Sequence, residues 1–271
     1  MKIFLSALEA RMENVWDTLE SQKELLDYGL VSYFYIRGKD KNFSRIQRNT
    51  KEILVDSGAH SFQKGKKVEW EEYTREYAEW IKKNDSDKIL GYFEMDVDNI
   101  IGYEKVLELR KILLEATDKI IPVWHKNRGI DEFKKMCKET KGEIIGITGF
   151  RNEDIKDDQY HMFLKYAWQQ GKKVHCLGMT RIKVLNEVPF DYTDSSSWRQ
   201  TAIYGTVKRF SNGKFKDLKM PKRKFGHLEL VHYNFFEYRK MSKYFDRKWK
   251  NARSKYLEEF NKCKKKIFRG V

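Results

Sequence analysis

Three short segments of the sequence place a carboxylate directly after an apolar run, where it could act as nucleophile, acid or base. They are residues 53–62 (ILVDSGAHSF), 92–98 (YFEMDVD) and 190–197 (FDYTDSSS). Proteins of the α/β class bind ligands at the carboxyl ends of their parallel strands. We therefore expect the carboxylates that end these runs to border one pocket: Asp56, Asp96 and Asp194.

The first two segments also have simpler explanations. Asp56 opens an Asp-Ser-Gly sequence that equally suits a turn. Asp96 and Asp98 would point to one face if residues 91–97 form a strand. Such a pair can bind a divalent metal ion, but the sequence offers no clear third ligand, so no metal is expected.

The third segment contains two aspartates that differ by three positions, so they point to opposite faces of a strand. Only one of Asp191 and Asp194 can therefore face the lumen of a barrel. Ser195, Ser196 and Ser197 offer hydroxyls to a phosphate or a sugar, and they could equally cap a following helix.

Small residues and lone histidines accompany these segments. Ser57 and Gly58 let a ligand approach the backbone. Gly146 and Gly149, in the segment IIGITGF, would let a flat ligand approach closely. Two histidines at strand positions, His125 and His175, are more often structural than catalytic. Neither GxGxxG nor a P-loop occurs, so no nucleotide cofactor is expected.

The spacing of apolar residues predicts the elements that must position these side chains. Strands are expected at 2–7, 31–36, 53–56, 91–96, 120–125, 143–148, 173–178 and 190–194. Helical patterns lie between most of them, with aromatic stripes such as Trp70, Tyr73, Tyr77 and Trp80 that we assign to core packing. Eight strands that alternate with helices predict an α/β fold, a (β/α)8 TIM-like barrel. The connection 37–52 reads as irregular.

Composition narrows the class of protein. The 271 residues are 40% hydrophobic, which suffices for a folded core. No apolar run approaches a membrane span, and the first residues are too short an apolar run for a signal peptide. Three widely spaced cysteines without a CxxC predict neither disulfides nor a cysteine zinc site, and they favour a reducing, cytoplasmic setting.

The positive charge lies in the last quarter of the chain. Residues 206–271 hold 21 Lys and Arg against 6 Asp and Glu, which accounts for the whole net charge of +15. A basic segment that is also rich in aromatic residues favours a nucleic-acid partner over a disordered tail. We expect a catalytic barrel at 1–205 and a basic, mostly helical extension at 206–271, with a hairpin turn at 211–213. The expected nucleic-acid-binding residues are Lys222, Arg223, Lys224, Arg247, Lys248, Lys250, Lys264, Lys265 and Lys266.

The order of these segments, over roughly residues 50–200, resembles the tRNA-guanine transglycosylase superfamily, (β/α)8 barrels that exchange a purine for a 7-deazapurine. DSGAHS at 56–61 resembles the family's DSGGFQ, whose Asp is the general acid/base. FEMD at 93–96 resembles the strand whose Asp reads the Watson–Crick edge of the base, and FDYTD at 190–194 resembles IDxFD. The resemblance implies that Asp194 is the nucleophile, Asp56 the acid/base and Asp96 a base-binding residue.

The same resemblance supplies the remaining base-binding residues. Residues 146–149 are similar to the family's glycine-rich turn, and HCLGM at 175–179 is similar to its LMGVG turn. The base-binding set that it implies is Ser57, Gly58, His60, His125, Gly146, Gly149, Leu177 and Gly178. His60 takes the place of a stacking Phe, so His60 and Leu177 would sandwich the base, and His125 takes the place of a base-contacting Gln.

One departure from the family directs the choice of substrate. The family's zinc site, CxCxxC followed by a His, is absent from the sequence. The short, zinc-free form looks like the relatives, often encoded by phages, that put 7-deazaguanine into DNA. We expect a transglycosylase that exchanges guanine in DNA, with the free 7-deazaguanine base as co-substrate. A DNA glycosylase that excises a base by hydrolysis, a tRNA-guanine transglycosylase and a catalytically inactive binding module remain open, as does the oligomeric state.

Overall fold

Nine short parallel strands form the walls of a barrel in the computed structural model, which describes residues 1–62, 68–149, 155–218 and 226–269, with side chains through residue 262. Their spatial order is β5-β4-β3-β2-β1-β9-β8-β7-β6. The strands are β1 Lys2–Leu5, β2 Leu26–Ser32, β3 Thr50–Asp56, β4 Ile89–Phe93, β5 Ile120–Ile121, β6 Val123–Trp124, β7 Ile144–Thr148, β8 Lys173–Leu177 and β9 Tyr192–Ser195.

Two of these strands share one position in the barrel. Only Pro122 separates β5 from β6, and proline has no N–H to donate to a ladder. β5 pairs with β4 through Tyr92 and Ile120, while β6 pairs with β7 through Val123 and Gly146. The ring therefore has eight strand positions, and the expected (β/α)8 TIM-like barrel is confirmed.

Helices cover the outside of the ring and run back from the carboxyl ends of the strands. They are α1 Glu13–Ser21, α2 Tyr33–Ile36, α3 Asp40–Asn49, α4 Trp70–Asn84, α5 Asp98–Ile101, α6 Tyr103–Leu114, α7 Gly129–Glu139, α8 Tyr160–Gln169, α9 Ile182–Glu187, α10 Ser197–Ile203, α11 His227–Lys248 and α12 Ala252–Arg269. A hairpin, β10 Val207–Ser211 and β11 Lys214–Leu218, lies between α10 and α11. It contains the turn expected at 211–213.

The core has two layers, as in other barrels of this class. Side chains that point inward fill the lumen: Phe4, Leu30, Leu54, Phe93, Ile121, Val123, Ile144 and Tyr192. A larger layer lies between the strands and the helices. The aromatic stripe of α4 belongs to it, since Tyr73, Tyr77 and Trp80 are buried. The assignment of that stripe to core packing is confirmed.

Helix α11 completes the barrel. It begins near α1, where Asn14 Nδ2 donates to Leu228 O (2.8 Å), and it ends near the start of β2, where the Tyr28 hydroxyl donates to Asp246 (2.8 Å). Ser242 Oγ donates to Ile3 O in β1 (2.8 Å). The helix thus runs antiparallel to the strands and covers the wall of the barrel beside β1. The core of the barrel therefore includes residues on both sides of position 205.

The aromatic residues of the basic extension mostly have a structural role. Phe210, Phe235, Tyr238 and Phe245 are buried in the core, and several others pack against it: Phe215, Phe236, Tyr244, Trp249 and Tyr256. Packing therefore explains these aromatic residues. The argument for a nucleic-acid partner rests on the positive charge alone.

Three expected element boundaries differ from the structure. The strand expected at 31–36 is β2 at Leu26–Ser32, followed by the single turn α2, and the connection 37–52 contains α3. The expected strand 91–96 ends at Phe93, so Asp96 lies in a loop. The apolar run from Val31 to Ile36 spans the end of β2 and the helix α2. It does so because both elements bury side chains, Val31, Tyr33 and Ile36, in the same core.

Within the described residues, we find no helix with both the length and the apolar character needed to cross a membrane.

Candidate active site

A cavity of about 580 Å³ opens at the carboxyl ends of the strands, a size typical of small-molecule sites. We call it the mouth pocket. It is lined by Ser6, Ala7, Glu9, Leu30, Ser32, Tyr35, Asp56, His60, Ser61, Phe93, Asp96, His125, Thr148, Leu177, Gly178 and Asp194. A larger groove of about 1070 Å³ lies outside the barrel beside α4. The three carboxylates singled out from the sequence lie in the mouth pocket.

The mouth pocket combines an apolar floor with a polar rim. Leu30 lies two residues before Ser32 on β2, which places it one inward position deeper in the barrel. Phe93 belongs to the same lumen cluster as Leu30, and Leu177 packs against that cluster. A flat ring can therefore rest on apolar side chains while its edges meet polar groups.

The rim carboxylates have a defined arrangement around the ring of strands. Asp194 is on β9 and Asp96 follows β4, and these two strands lie four positions apart in a ring of eight. Asp194 and Asp96 thus belong to opposite walls. Asp56, at the end of β3, lies on one side between them, and Leu177, at the end of β8, lies on the other.

Asp194 accepts two hydrogen bonds at one oxygen. Gly178 N donates to Asp194 Oδ1 (2.8 Å), and His175 Nε2 lies 3.0 Å from the same atom. His175 is fully buried, and its ring contacts Phe4 and Phe93 (centroids 6.3 and 5.0 Å). The lumen therefore fixes a histidine that orients Asp194, while 19% of the Asp194 side chain stays exposed.

The neighbouring aspartate faces away from the mouth pocket, as the spacing of three predicts. Asp191 precedes β9 and accepts from Trp168 Nε1 (2.7 Å) and Val174 N (2.8 Å). Burial raises the pKa of Asp191, and both hydrogen bonds oppose that rise. Asp191 is therefore a buried structural carboxyl at the opposite end of the strand.

Asp56 is held by the turn that follows it. Gly58 N donates to Asp56 Oδ2 (2.9 Å). Gly58 has φ +79°, and a Cβ there would lie 2.3 Å from Phe34 Cβ, so the turn requires glycine. Burial raises the pKa of Asp56 to about 6; the Gly58 N–H opposes this, and the charges of Asp194 and Asp96 add to it. A carboxyl with this pKa can both give and take a proton near neutral pH.

The raised pKa of Asp56 predicts a pH-dependent gain of stability in Asp56→Asn. The folded state binds the carboxyl proton of Asp56 more tightly than the unfolded state does. The stability that this proton contributes is therefore lost as pH rises through about 6. At pH 8 we expect Asp56→Asn to be about 2 kcal/mol more stable than the parent chain, with a smaller gap at pH 5. Urea denaturation at both pH values measures this. The exposed Asp40→Asn is the control, and an equal gap at both pH values would contradict the assignment.

Asp96 belongs to a charged cluster on the opposite wall. His125 Nε2 lies 2.7 Å from Asp96 Oδ1, and the Arg128 guanidinium lies 3.8 Å from that oxygen and 3.0 Å from Asp98. Burial lowers the pKa of His125, but the hydrogen bond and charge of Asp96 outweigh it and raise the pKa overall. His125 and Asp96 together offer a donor and an acceptor to a ligand edge.

The same cluster contains the one group of possible metal ligands that we find among the described residues. Ligand atoms of Asp96, Asp98 and His125 lie within 4.8 Å of one another. The buried Arg128 already pairs with both carboxylates, and a cation beside them would be repelled by its guanidinium. The donor set therefore does not fit a metal well.

Several residues expected to bind the base do not border the mouth pocket. Ser57 is buried, and its carbonyl accepts from the Tyr73 hydroxyl (2.7 Å). Gly58 shapes the turn. A Cβ at Gly146 would meet Leu177 Cδ1 at 3.1 Å, and one at Gly149 would meet Cys176 Sγ at 2.6 Å. These glycines allow neighbouring strands and loops to pack closely. Gly146 lies in the lumen layer beside Val123 and Leu177, and neither Gly146 nor Gly149 lines the mouth pocket.

Sequence reasoning missed half of the pocket lining. The missed residues are Ser6, Ala7, Glu9, Leu30, Ser32, Tyr35, Ser61, Phe93 and Thr148. Most follow from the alternation of inward positions along a strand. Ser6 lies two residues after the inward-facing Phe4, and Ser32 lies two residues after the inward-facing Leu30. The displaced boundary of the second strand hid Ser32 and Tyr35.

The expected nucleic-acid-binding residues do not border the mouth pocket where they can be placed. Arg247 and Lys248 end α11 and Lys250 follows it, beside the amino ends of the strands. They therefore lie at the opposite end of the barrel from the pocket, and could not hold phosphates next to a base bound there. Lys222, Arg223 and Lys224 lie outside the described residues, as do the side chains of Lys264, Lys265 and Lys266.

Comparison with known proteins adds little to this geometry. No known protein family matches the sequence, and no curated protein matches it. Among solved structures, orotidine 5'-phosphate decarboxylase from Thermotoga maritima is 15% identical, with a TM-score of 0.41, over 72% of this chain and 89% of that one. An enolase protein from the Sargasso Sea environmental genome is 10% identical, with a TM-score of 0.41, over 72% and 54%. Neither likeness bears on the activity of this chain.

Proposed function

We propose that this chain is an enzyme that breaks the N-glycosidic bond of guanine in DNA and inserts a 7-deazaguanine base, a pentosyl-transferring transglycosylase. One observation carries the proposal: Asp194 and Asp96 stand on opposite walls of a single pocket, with Asp56 between them and an apolar floor below. This arrangement suits a flat heterocycle that is gripped at one edge and bonded to its sugar at the other.

The environments of the two proposed catalytic carboxylates support different roles. Asp194 is oriented at one oxygen by Gly178 N and His175 Nε2, so that its carboxylate can attack C1′ or stabilise its developing positive charge. Asp56, with its pKa raised to about 6, exchanges protons with the base.

The opposite wall supports recognition of the base. Asp96 accepts hydrogen bonds from ring and exocyclic N–H groups, and the His125 ring beside it presents a further polar edge. Leu177 lies against one face of the base and His60, on the exposed turn after Asp56, against the other. In a duplex the target nucleotide must first be flipped out of the stack, which costs a few kcal/mol.

The reaction is tested with DNA duplexes and single strands, with and without labelled 7-deazaguanine bases. Incorporation of label into DNA supports base exchange. Alkali-labile sites formed without added base would show hydrolytic excision, and incorporation into tRNA alone would show the tRNA enzyme. Retained DNA binding with neither product would identify a non-catalytic binding module and overturn the proposal.

The basic extension is expected to bind the phosphates of DNA through its last helix. We predict that changing Lys264, Lys265 and Lys266 to Glu weakens DNA binding and lowers the slope of log K against log salt by about 2 to 3, since each lost phosphate contact removes about 0.9. Turnover of bound DNA should stay unchanged. The matched control is a triple change of exposed lysines on α7, Lys134, Lys135 and Lys138, to Glu. An equal change of slope in both triples would count against a specific site.

A further inference from the structure

Two buried polar atoms in the wall of the mouth pocket have no hydrogen-bond partner: Glu9 Oε2 and Ser32 Oγ. The Ser32 residue is only 9% exposed. A buried polar atom without a partner is unfavourable, so a ligand that offers it a hydrogen bond is bound more tightly. These atoms therefore mark a place where the pocket is prepared for a hydrogen-bonding group.

The β1–α1 loop brings Glu9 over the lumen. Ala7 adopts φ +65°, an uncommon conformation for a residue other than glycine, which turns the chain after β1. Asn42 Nδ2 donates to Glu9 O (3.3 Å) and holds the loop against α3. β1 and β2 lie between β9 and β3 in the ring. Glu9 and Ser32 consequently form the wall between Asp194 and Asp56.

A purine laid across this pocket presents a particular edge to each wall. With N9 and the sugar at Asp194 and the Watson–Crick edge at Asp96, its two remaining edges face the β1–β3 side and the β7–β8 side. One of these edges carries N7, a hydrogen-bond acceptor. The β7–β8 side offers Leu177, Gly178 and Thr148, whereas the β1–β3 side offers the carboxyl of Glu9 and the hydroxyl of Ser32. Both sides thus offer a hydroxyl, but among the described lining residues a carboxyl that can give a proton to N7 lies on the β1–β3 side.

We propose that Glu9 and Ser32 bind N7 of the outgoing guanine, and that the carboxyl proton of Glu9 passes to N7 as the glycosidic bond breaks. This inference rests on the proposed function and names a further catalytic residue for it. A protonated N7 withdraws electrons from the ring, so the base leaves as a neutral molecule instead of an anion.

The protons and electrons of the exchange balance. The O–H bond of Glu9 breaks and an N7–H bond forms, while the electron pair of the C1′–N9 bond goes to the departing base. Asp194 bonds to C1′ or stabilises its positive charge. The incoming base then loses its N9 proton to Asp56 as N9 bonds to C1′, and any bond between C1′ and Asp194 breaks with its electron pair returning to Asp194. Transfer of that proton from Asp56 to Glu9 restores the pocket to its starting protonation.

The electrostatics around Glu9 support this role. Burial raises its pKa to about 7; hydrogen bonds from its own backbone and from the Ser32 backbone oppose this, the charge of Asp56 adds to the rise, and that of Arg199 opposes it. Glu9 thus keeps a transferable proton near neutral pH. Two carboxyls on adjoining parts of one wall can then divide the roles, with Glu9 as acid and Asp56 as base.

The proposal has a chemical consequence for the direction of exchange. A 7-deazaguanine carries C7–H where guanine carries N7, so it offers Glu9 no acceptor and gains no activation as a leaving group. Once inserted, it should remain in the DNA. The same pair of residues would select guanine for removal and protect the product.

The test uses the full chain and DNA copied with either 2′-deoxyguanosine or 7-deaza-2′-deoxyguanosine triphosphate, so no recognition sequence need be known. The parent chain should release guanine at least about 10²-fold faster than 7-deazaguanine. Glu9→Gln keeps a donor but has no proton to give, so guanine release should fall about 10²-fold while free guanine binds within threefold. Glu13→Gln, on the surface of α1, should change neither value.

Binding of the free bases tests the N7 contact without turnover. Ser32→Ala should weaken guanine binding about fivefold and leave 7-deazaguanine binding unchanged. Ser86→Ala removes another hydroxyl without a partner, far from the pocket, and should affect neither base. An equal loss for both bases in Ser32→Ala, or unchanged guanine release in Glu9→Gln, would overturn the inference and leave base exchange standing. A parent chain that binds guanine selectively but neither releases nor exchanges a base would overturn the proposed function and the proton transfer with it, and would leave only the N7 contact. A parent chain that binds neither base would end both proposals.

Discussion

Asp194→Asn is expected to lower base release and exchange by about 10³-fold or more while DNA affinity stays within a few-fold of the parent chain. Asparagine has nearly the same shape and keeps an oxygen that accepts from Gly178 N. It cannot bond to C1′ as a nucleophile, and it carries no charge to stabilise a positive sugar. Losing a preorganised electrostatic contact to a transition state alone costs about 10²–10³ in rate.

This expectation is checked by single-turnover assays with labelled DNA and by equilibrium binding at the same salt concentration. Asp217→Asn, on the exposed hairpin strand β11, controls for the loss of one carboxylate outside the pocket. Loss of binding in parallel with turnover would mean that Asp194 holds the local structure, since its oxygen joins Gly178 and His175. Undiminished turnover would remove Asp194 from the mechanism.

The sequence predicted the barrel and its rim carboxylates because both follow from local rules. Apolar runs of strand length alternate with helical stripes, and a spacing of three puts two aspartates on opposite faces of a strand, so that only one of them can face inward. Asp194 faces the lumen with Tyr192, whereas Asp191 lies outside the pocket, bonded to Trp168. Parity is fixed by the alternation of side chains, so it needs no knowledge of the tertiary structure.

What the sequence did not predict depends on contacts between distant segments. Helix α11 lies more than 200 residues from β1 and completes the barrel against it, so its basic and aromatic composition suggested an appendage. Glu9 follows β1 by only four residues, but its position over the lumen depends on the turn at Ala7 and on Asn42 from α3. Such contacts have no local signature.

The charged cluster behind Asp96 shows the same limit. Glu94 and Arg110 form a pair that the local sequence pattern does not indicate. The Glu94 side chain is fully buried, and its carboxylate accepts hydrogen bonds from Arg110 Nε (2.5 Å) and Val123 N (2.7 Å). Arg128 adds a second guanidinium 3.6 Å from it. These long-range pairs make a rigid wall at β4 and β6, which carries Asp96 and His125.

Arg128→Met is expected to lower the free energy of unfolding by about 3–5 kcal/mol, the usual cost of removing one partner from a buried ion pair. Only 2% of the Arg128 side chain is exposed. Its guanidinium pairs with Asp98 (3.0 Å), donates to Val123 O and lies 4.2 Å from the centre of the Tyr103 ring. Methionine keeps much of the volume but leaves Asp98 without its guanidinium partner. Urea denaturation at pH 7 measures the loss.

A matched control separates burial from charge. Arg45 also pairs with two carboxylates, Asp17 (2.6 Å) and Glu20 (2.9 Å), but it lies on the surface with 26% of its side chain exposed. Arg45→Met should cost at most about 1 kcal/mol. Adding Asp98→Asn to Arg128→Met should recover part of the lost stability, because it removes one of the uncompensated charges. Equal losses in Arg128→Met and Arg45→Met would show that water reaches the cluster, and the wall that carries Asp96 would then be solvated rather than rigid.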